Sequence, residues 1–165
     1  MLILAAVSAC LIVIDQLVKM YIHTHYQLGE STVVIPGFFN ITYVRNYGAA
    51  FGILANSHPT FREIFFLSIP PVAVLIILAV LKGVKDNDYA QILALSSVCG
   101  GAIGNYIDRL KFRYVIDFLD FHWKEVYTYP AFNVADMAIV CGVAVLLMFI
   151  VKETLEERKQ QKAKT

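Results

Sequence analysis

The sequence predicts an α-helical polytopic membrane protein, with four transmembrane helices and a small β-rich insert between the first and the second. Three observations carry this. Hydrophobic residues make up 58% of the 165 and charged residues only 16%, more apolar surface than a soluble domain of this length needs. Four segments, at residues 1–22, 62–82, 88–108 and 132–151, come close to the roughly 20 apolar residues that cross a bilayer. Between the first two, residues 28–54 change texture and become rich in Val, Ile, Thr, Phe and Tyr, broken by Pro36-Gly37, the pattern of two short strands around a turn.

The first span is interrupted only by Asp15, Gln16 and Lys19. It has no basic leader and no small-residue cleavage site, so it reads as a retained helix. The second contains Pro70 and Pro71, tolerated in membrane helices and expected to kink this one. The third ends at Asp108 and Arg109, and the fourth opens on Asn133 and Asp136. The segment "FRYVIDFLDFHW" between them reads as extended. Residues 1–152 form one membrane domain, and 153–165 form a charged tail.

Net charge is +1, which gives no electrostatic case for nucleic acid. Cys10, Cys99 and Cys141 lie in apolar runs without metal-ligand spacing, and read as small hydrophobes. No metal or cofactor is expected. His23 and His25 are two apart, the wrong spacing for one helix face, and read as interfacial side chains.

With four spans, the end of the first, the start of the second, the end of the third and the start of the fourth share one membrane face. Nearly every unusual polar residue collects there. Lys and Arg counts do not orient the chain, since each side carries seven. Asp15 and Lys19 are four apart on one helix face, which suits an intramembrane ion pair. Ser96, Gly100 and Gly104 form a small-residue packing stripe. Gly101, Asn105 and Asp108 share a face too polar for lipid. Asn46 and Gly48 are turn formers after the second predicted strand. Asn133 and Asp136 are three apart, so the amide can fix the acid, although a helix-start carboxylate is also favoured by the macrodipole.

There is no nucleophile elbow, Walker loop or HExxH motif, so carboxylates are the remaining chemistry. Two of them close together in a low-dielectric site share a proton, one acting as base on water and the other as acid on a carbonyl. Asp15, Asp108, Asp117, Asp120 and Asp136 are candidates, and spacing alone does not choose the pair. A proton-coupled carrier, a non-enzymatic assembly factor and a metal-assisted hydrolase are the rival readings. The carrier predicts polar groups spread through the bilayer depth.

The motifs "DQLVK", "FNITYVRNYGAAFGIL", "GGAIGNYIDR", "VIDF" and "FNVAD", in this order, resemble the bacterial lipoprotein signal peptidase (signal peptidase II) family. The resemblance implies an intramembrane aspartyl endopeptidase. It would cleave diacylglyceryl-modified prolipoproteins just before the lipidated cysteine. Asp117 and Asp136 would be catalytic. Asp15, Lys19, Asn46, Gly48, Gly101, Asn105, Asp108, Arg109 and Asn133 would be supporting or substrate-contacting. It further implies a monomer in the bacterial inner membrane, sensitive to the family's cyclic-peptide inhibitor. Both termini would be cytoplasmic, and the β-rich insert would form an extracytoplasmic cradle.

Overall fold

The computed structural model describes residues 1–49, 52–124 and 126–162. Its elements, in chain order, are α1 (Leu2–His25), β1 (Ser31–Ile35), β2 (Phe39–Asn46), α2 (Pro59–Leu81), α3 (Tyr89–Phe112), β3 (Val115–Trp123), β4 (Tyr127–Thr128) and α4 (Val134–Lys162). Four of these are helices long and apolar enough to cross a membrane. Large apolar side chains such as Leu17, Ile64, Leu75 and Val140 point outward, which only a hydrocarbon solvent makes favourable.

Helix α3 is the hub and packs against α1, α2 and α4. Half of its span is buried, against 22% or less for the others. Glycine sets its closest approaches. A Cβ on Gly100 would lie 3.0 Å from Ser8 Cα of α1, and one on Gly101 would strike the Ala135 carbonyl of α4. The small-residue stripe thus faces α1, where the Ser8 hydroxyl donates to the Ser96 carbonyl at 2.9 Å. The core between α1, α2 and α3 is built from Leu4, Ile77, Leu81, Ile92, Leu95 and Cys99. Helix α2 stays one helix through Pro70 and Pro71, because Pro removes one donor without forbidding the fold of its neighbours.

The two inserts do not lie separately on the membrane. They join into one antiparallel sheet of order β1-β2-β3-β4, in which β2 of the first insert pairs with β3 of the second. The Pro36-Gly37 turn joins β1 and β2, with Gly37 at φ 71°. The β2–β3 register shifts between Ile41 and Val44. There Tyr43 turns into a cluster with Ile22, Tyr114, Ile116 and Phe118, which seats the sheet on the end of α1. The charged tail continues α4 as helix to Lys162. Ala163 to Thr165 of that tail, and Ala50 and Phe51 of the "GAAF" stretch, lie outside the described residues.

Candidate active site

The end of the bundle that carries the sheet gathers the buried polar residues. Asp15, Lys19, Asn105, Asp108, Asp117 and Asn133 are each buried there. Deeper along the helices, the buried polar side chains are the hydroxyls of Ser8 and Ser96, both bonded to backbone carbonyls. This is the one-sided distribution that argues against a carrier, whose relay must extend through the bilayer.

The start of α4 shows why Asn133 and Asp136 stand three apart. The Asn133 Oδ1 accepts from the Asp136 backbone N–H at 2.9 Å, and the Asn133 N–H donates to Asp136 Oδ2 at 3.3 Å. This reciprocal pair is a capping box, which satisfies donors that a helix start otherwise leaves unpaired. A third first-turn donor, the Ala135 N–H, reaches Asp15 Oδ1 of α1 at 2.9 Å.

Asn133 has a second task. Its Nδ2 donates to Asp117 Oδ1 at 2.7 Å and to the Ile116 carbonyl at 3.3 Å. One fully buried amide therefore touches both Asp117 of β3 and Asp136 of α4. Each carboxylate also has its own further amide. Asn46 Nδ2 donates to Asp117 Oδ2 at 3.0 Å, and Asn105 Nδ2 donates to Asp136 Oδ1 at 2.7 Å. Burial first, and the Asp136 carboxylate second, push the Asp117 pKa up to about 7, against the lowering pull of the Asn46 and Asn133 hydrogen bonds. A carboxyl poised there holds a proton at neutral pH and can release it.

Behind the pair lies a cationic support. The Lys19 ammonium lies 2.8 Å from Asp15 Oδ2 and 3.1 Å from Asp108 Oδ2, and donates to Asn105 Oδ1 at 2.8 Å. The ammonium thus has one hydrogen-bond acceptor and two carboxylate charges around it. Because Asn105 Oδ1 is committed to Lys19, its NH2 must point at Asp136. Asp108 Oδ2 in turn accepts from the Ile116 N–H at 3.1 Å, one residue before Asp117. The pairing of Asp15 with Lys19 expected from their spacing is present and reaches further, into α4 and β3.

Gly48 follows the Asn46 end of β2. Its N–H donates to Asn46 Oδ1 at 2.9 Å, and its carbonyl accepts from Arg109 Nη2 at 3.0 Å. A Cβ there would strike the Ile53 carbonyl and lie 2.9 Å from the Ala55 nitrogen, so this turn needs glycine. The face expected of Gly101, Asn105 and Asp108 divides in two. Gly101 and Asn105 meet α4, whereas Asp108 meets Lys19 of α1 and the start of β3. Asp120 stands apart from the dyad, 3.9 Å from His122.

One supporting residue is missing from the sequence reading. Gln16 Nε2 donates to Asp108 Oδ1 at 2.7 Å and to the Gly104 carbonyl at 3.2 Å. An amide inside an apolar span needs partners, and that signal was present beside Asp15.

Comparison with known proteins shows the family. Residues 7–152 match the signal peptidase (SPase) II family. The lipoprotein signal peptidase of Syntrophus aciditrophicus strain SB is 44% identical over 97% of both chains. That of Syntrophotalea carbinolica is 45% identical over 88% of this chain and 89% of its own. A solved bacterial membrane enzyme is similar with a TM-score of 0.80 at 33% identity, covering 92% of this chain and 88% of that one. The chain belongs to the signal peptidase II family.

Proposed function

We propose that this protein is the aspartic endopeptidase that removes the signal peptide from diacylglyceryl-modified prolipoproteins, cutting just before the lipidated cysteine. The family assignment supports the reaction class. One observation carries the choice of residues: Asp117 and Asp136, from separate elements, are hydrogen-bonded to the same buried Asn133.

In the proposed cycle Asp136 is the base and Asp117, protonated, the acid. Asp136 takes a proton from water as the hydroxide adds to the scissile carbonyl carbon. Asp117 gives its proton to the carbonyl oxygen, and a neutral gem-diol results. On collapse the C–N bond breaks, the departing nitrogen takes the proton from Asp136, and Asp117 recovers one from a diol hydroxyl. Both carboxyls return to their starting states, and no covalent intermediate forms.

The reaction belongs at the bacterial inner membrane, with the site toward the extracytoplasmic face and both termini cytoplasmic. A substrate held by its signal helix and acyl chains then diffuses in two dimensions to a site at its own depth. The enzyme works as a monomer and is blocked by the family's cyclic-peptide inhibitor.

The test is cleavage of purified lipidated prolipoprotein, with and without chelator. Asp117→Asn and Asp136→Asn are each expected to abolish cleavage while leaving a folded protein, chelator to have no effect, and the unlipidated precursor to be cut poorly. Normal turnover by either variant would refute the dyad.

A further inference from the structure

A second feature lies where the start of α2 meets the end of α3. Arg62 stands in the first turn of α2, Arg109 in the last turn of α3, and Arg113 caps α3 in the left-handed conformation at φ 66°. All three line one cleft between α2 and α3, together with Tyr47, Phe66 and Glu63. We propose that this cleft is a binding site for a phosphate group, filled by a phospholipid of the surrounding leaflet.

The charge balance points to an anion. Three guanidinium groups share the cleft with one carboxylate, Glu63. None of the three makes an ion pair among the described residues, where the ion pairs are those of Lys19 with Asp15 and Asp108. Arg109 also feels the carboxylates of Asp136, Asp117 and Asp108, but Arg62 and Arg113 have only Glu63 on the cleft wall.

Two of the guanidinium heads are held in place without being used up. Arg62 Nη1 donates to the Ala55 carbonyl at 2.7 Å and lies over the Tyr47 ring at 5.1 Å. Arg109 donates to Gly48 and lies over the Phe66 ring at 4.6 Å. Each guanidinium carries five N–H donors in a planar fork, so most remain for a ligand, and the fork matches phosphate oxygens.

The surroundings choose the source. Phe61, Ile64 and Leu110, beside these arginines, are about half exposed or more, as side chains in hydrocarbon would be. The cleft lies at the bundle end where the sheet emerges, the level at which a bilayer changes from acyl chain to headgroup. A phosphate diester carrying two acyl chains satisfies both the cationic wall and the apolar flanks. A free inorganic ion satisfies only the first. The lipid would also stand against Arg109, and so beside the turn of Gly48.

The test uses the full chain, purified and delipidated in detergent, with lipid retention read by native mass spectrometry. Dioleoylphosphatidylglycerol should bind at one per chain, and dioleoylglycerol, which lacks the phosphate, should not. The Arg62→Gln/Arg113→Asn double variant should lose retention at least about 10-fold, as charge-assisted contacts to the phosphate vanish. Gln at 62 keeps a donor for Ala55, and Asn at 113 tolerates the left-handed backbone. Glu63→Gln should tighten retention, a gain that misfolding cannot imitate. Equal retention by wild type and double variant would overturn the site. Inorganic phosphate binding at the arginines without phosphatidylglycerol binding would overturn the lipid as its occupant.

Discussion

Asp117→Asn is expected to do two opposite things: abolish cleavage and stabilise the fold at alkaline pH. Asp117 is 2% exposed, and its pKa rises from an ordinary 3.8 to about 7, by burial first and by the Asp136 charge second. An acid whose folded pKa is raised binds its proton more tightly folded than unfolded. Its penalty is absent below about pH 4, grows as pH rises toward 7, and is full above 7. At 1.36 kcal/mol per pKa unit, the full penalty is about 4 kcal/mol, and more than half of it accrues between pH 5 and pH 8. Asparagine never ionises and escapes it. It also gives up an acceptor, so one of the donors from Asn46 and Asn133 loses its partner, at about 1–3 kcal/mol and at every pH. The measurement is thermal unfolding of both proteins in one detergent at pH 5 and pH 8. Groups that titrate alike in both cancel. The stability of the variant relative to wild type should rise by about 2–3 kcal/mol from the acid to the alkaline condition. A difference that stays constant, or falls as pH rises, would refute a raised proton affinity at Asp117.

Four further outcomes follow from the same geometry. The kcat/KM profile should lose activity above about pH 7, as Asp117 surrenders its proton. Asn133→Ser, which keeps a helix cap but removes the amide donor, should move that limb up by about one to two pH units. Lys19→Met leaves Asp15 and Asp108 buried without their cation, and should cost about 3–5 kcal/mol in detergent unfolding. Gly101→Ala forces a methyl against the Ala135 carbonyl in the first turn of α4, while Gly142→Ala forces one to 2.6 Å from the Ala94 carbonyl lower in the same interface. Both should destabilise by about 1–3 kcal/mol, but only Gly101→Ala should also lower kcat, because its strain falls next to Asp136.

The spans were legible because hydrocarbon imposes a long and simple pattern, readable in any window of the chain. The strands were legible locally, through the Pro36-Gly37 turn and the β-branched runs. Their union was not. Asn40 pairs with Asp120, and Asn46 with Val115, at separations that no local signal encodes. The same limit governed the site. Asp15, Asp108, Asp117, Asp120 and Asp136 were alike by spacing, and what separates them is their partners. Asp15 and Asp108 have Lys19, Asp120 has His122, and Asp117 and Asp136 have only neutral donors among the hydrogen bonds they accept. Gln16 escaped notice because an amide in a membrane span announces only that it needs partners, not which ones.

That difference in partners is also what the proposed catalysis needs. Asp15 and Asp108 are taken up by the Lys19 ammonium and by backbone N–H donors of α4 and β3. Lys19 stands one residue removed from the dyad, where it aims Asn105 at Asp136 without neutralising it. The neutral amides that hold Asp117 and Asp136 fix their positions without an ion pair, so that the Asp136 charge raises the cost of ionising Asp117. Asn133 makes this arrangement inseparable from folding. The bonds that start α4 also set the carboxyl of Asp136, and the same side chain holds Asp117 of β3. The start of the last helix and the sheet therefore dock through one residue, whose side chain holds the Asp117 carboxyl and whose backbone N–H holds that of Asp136.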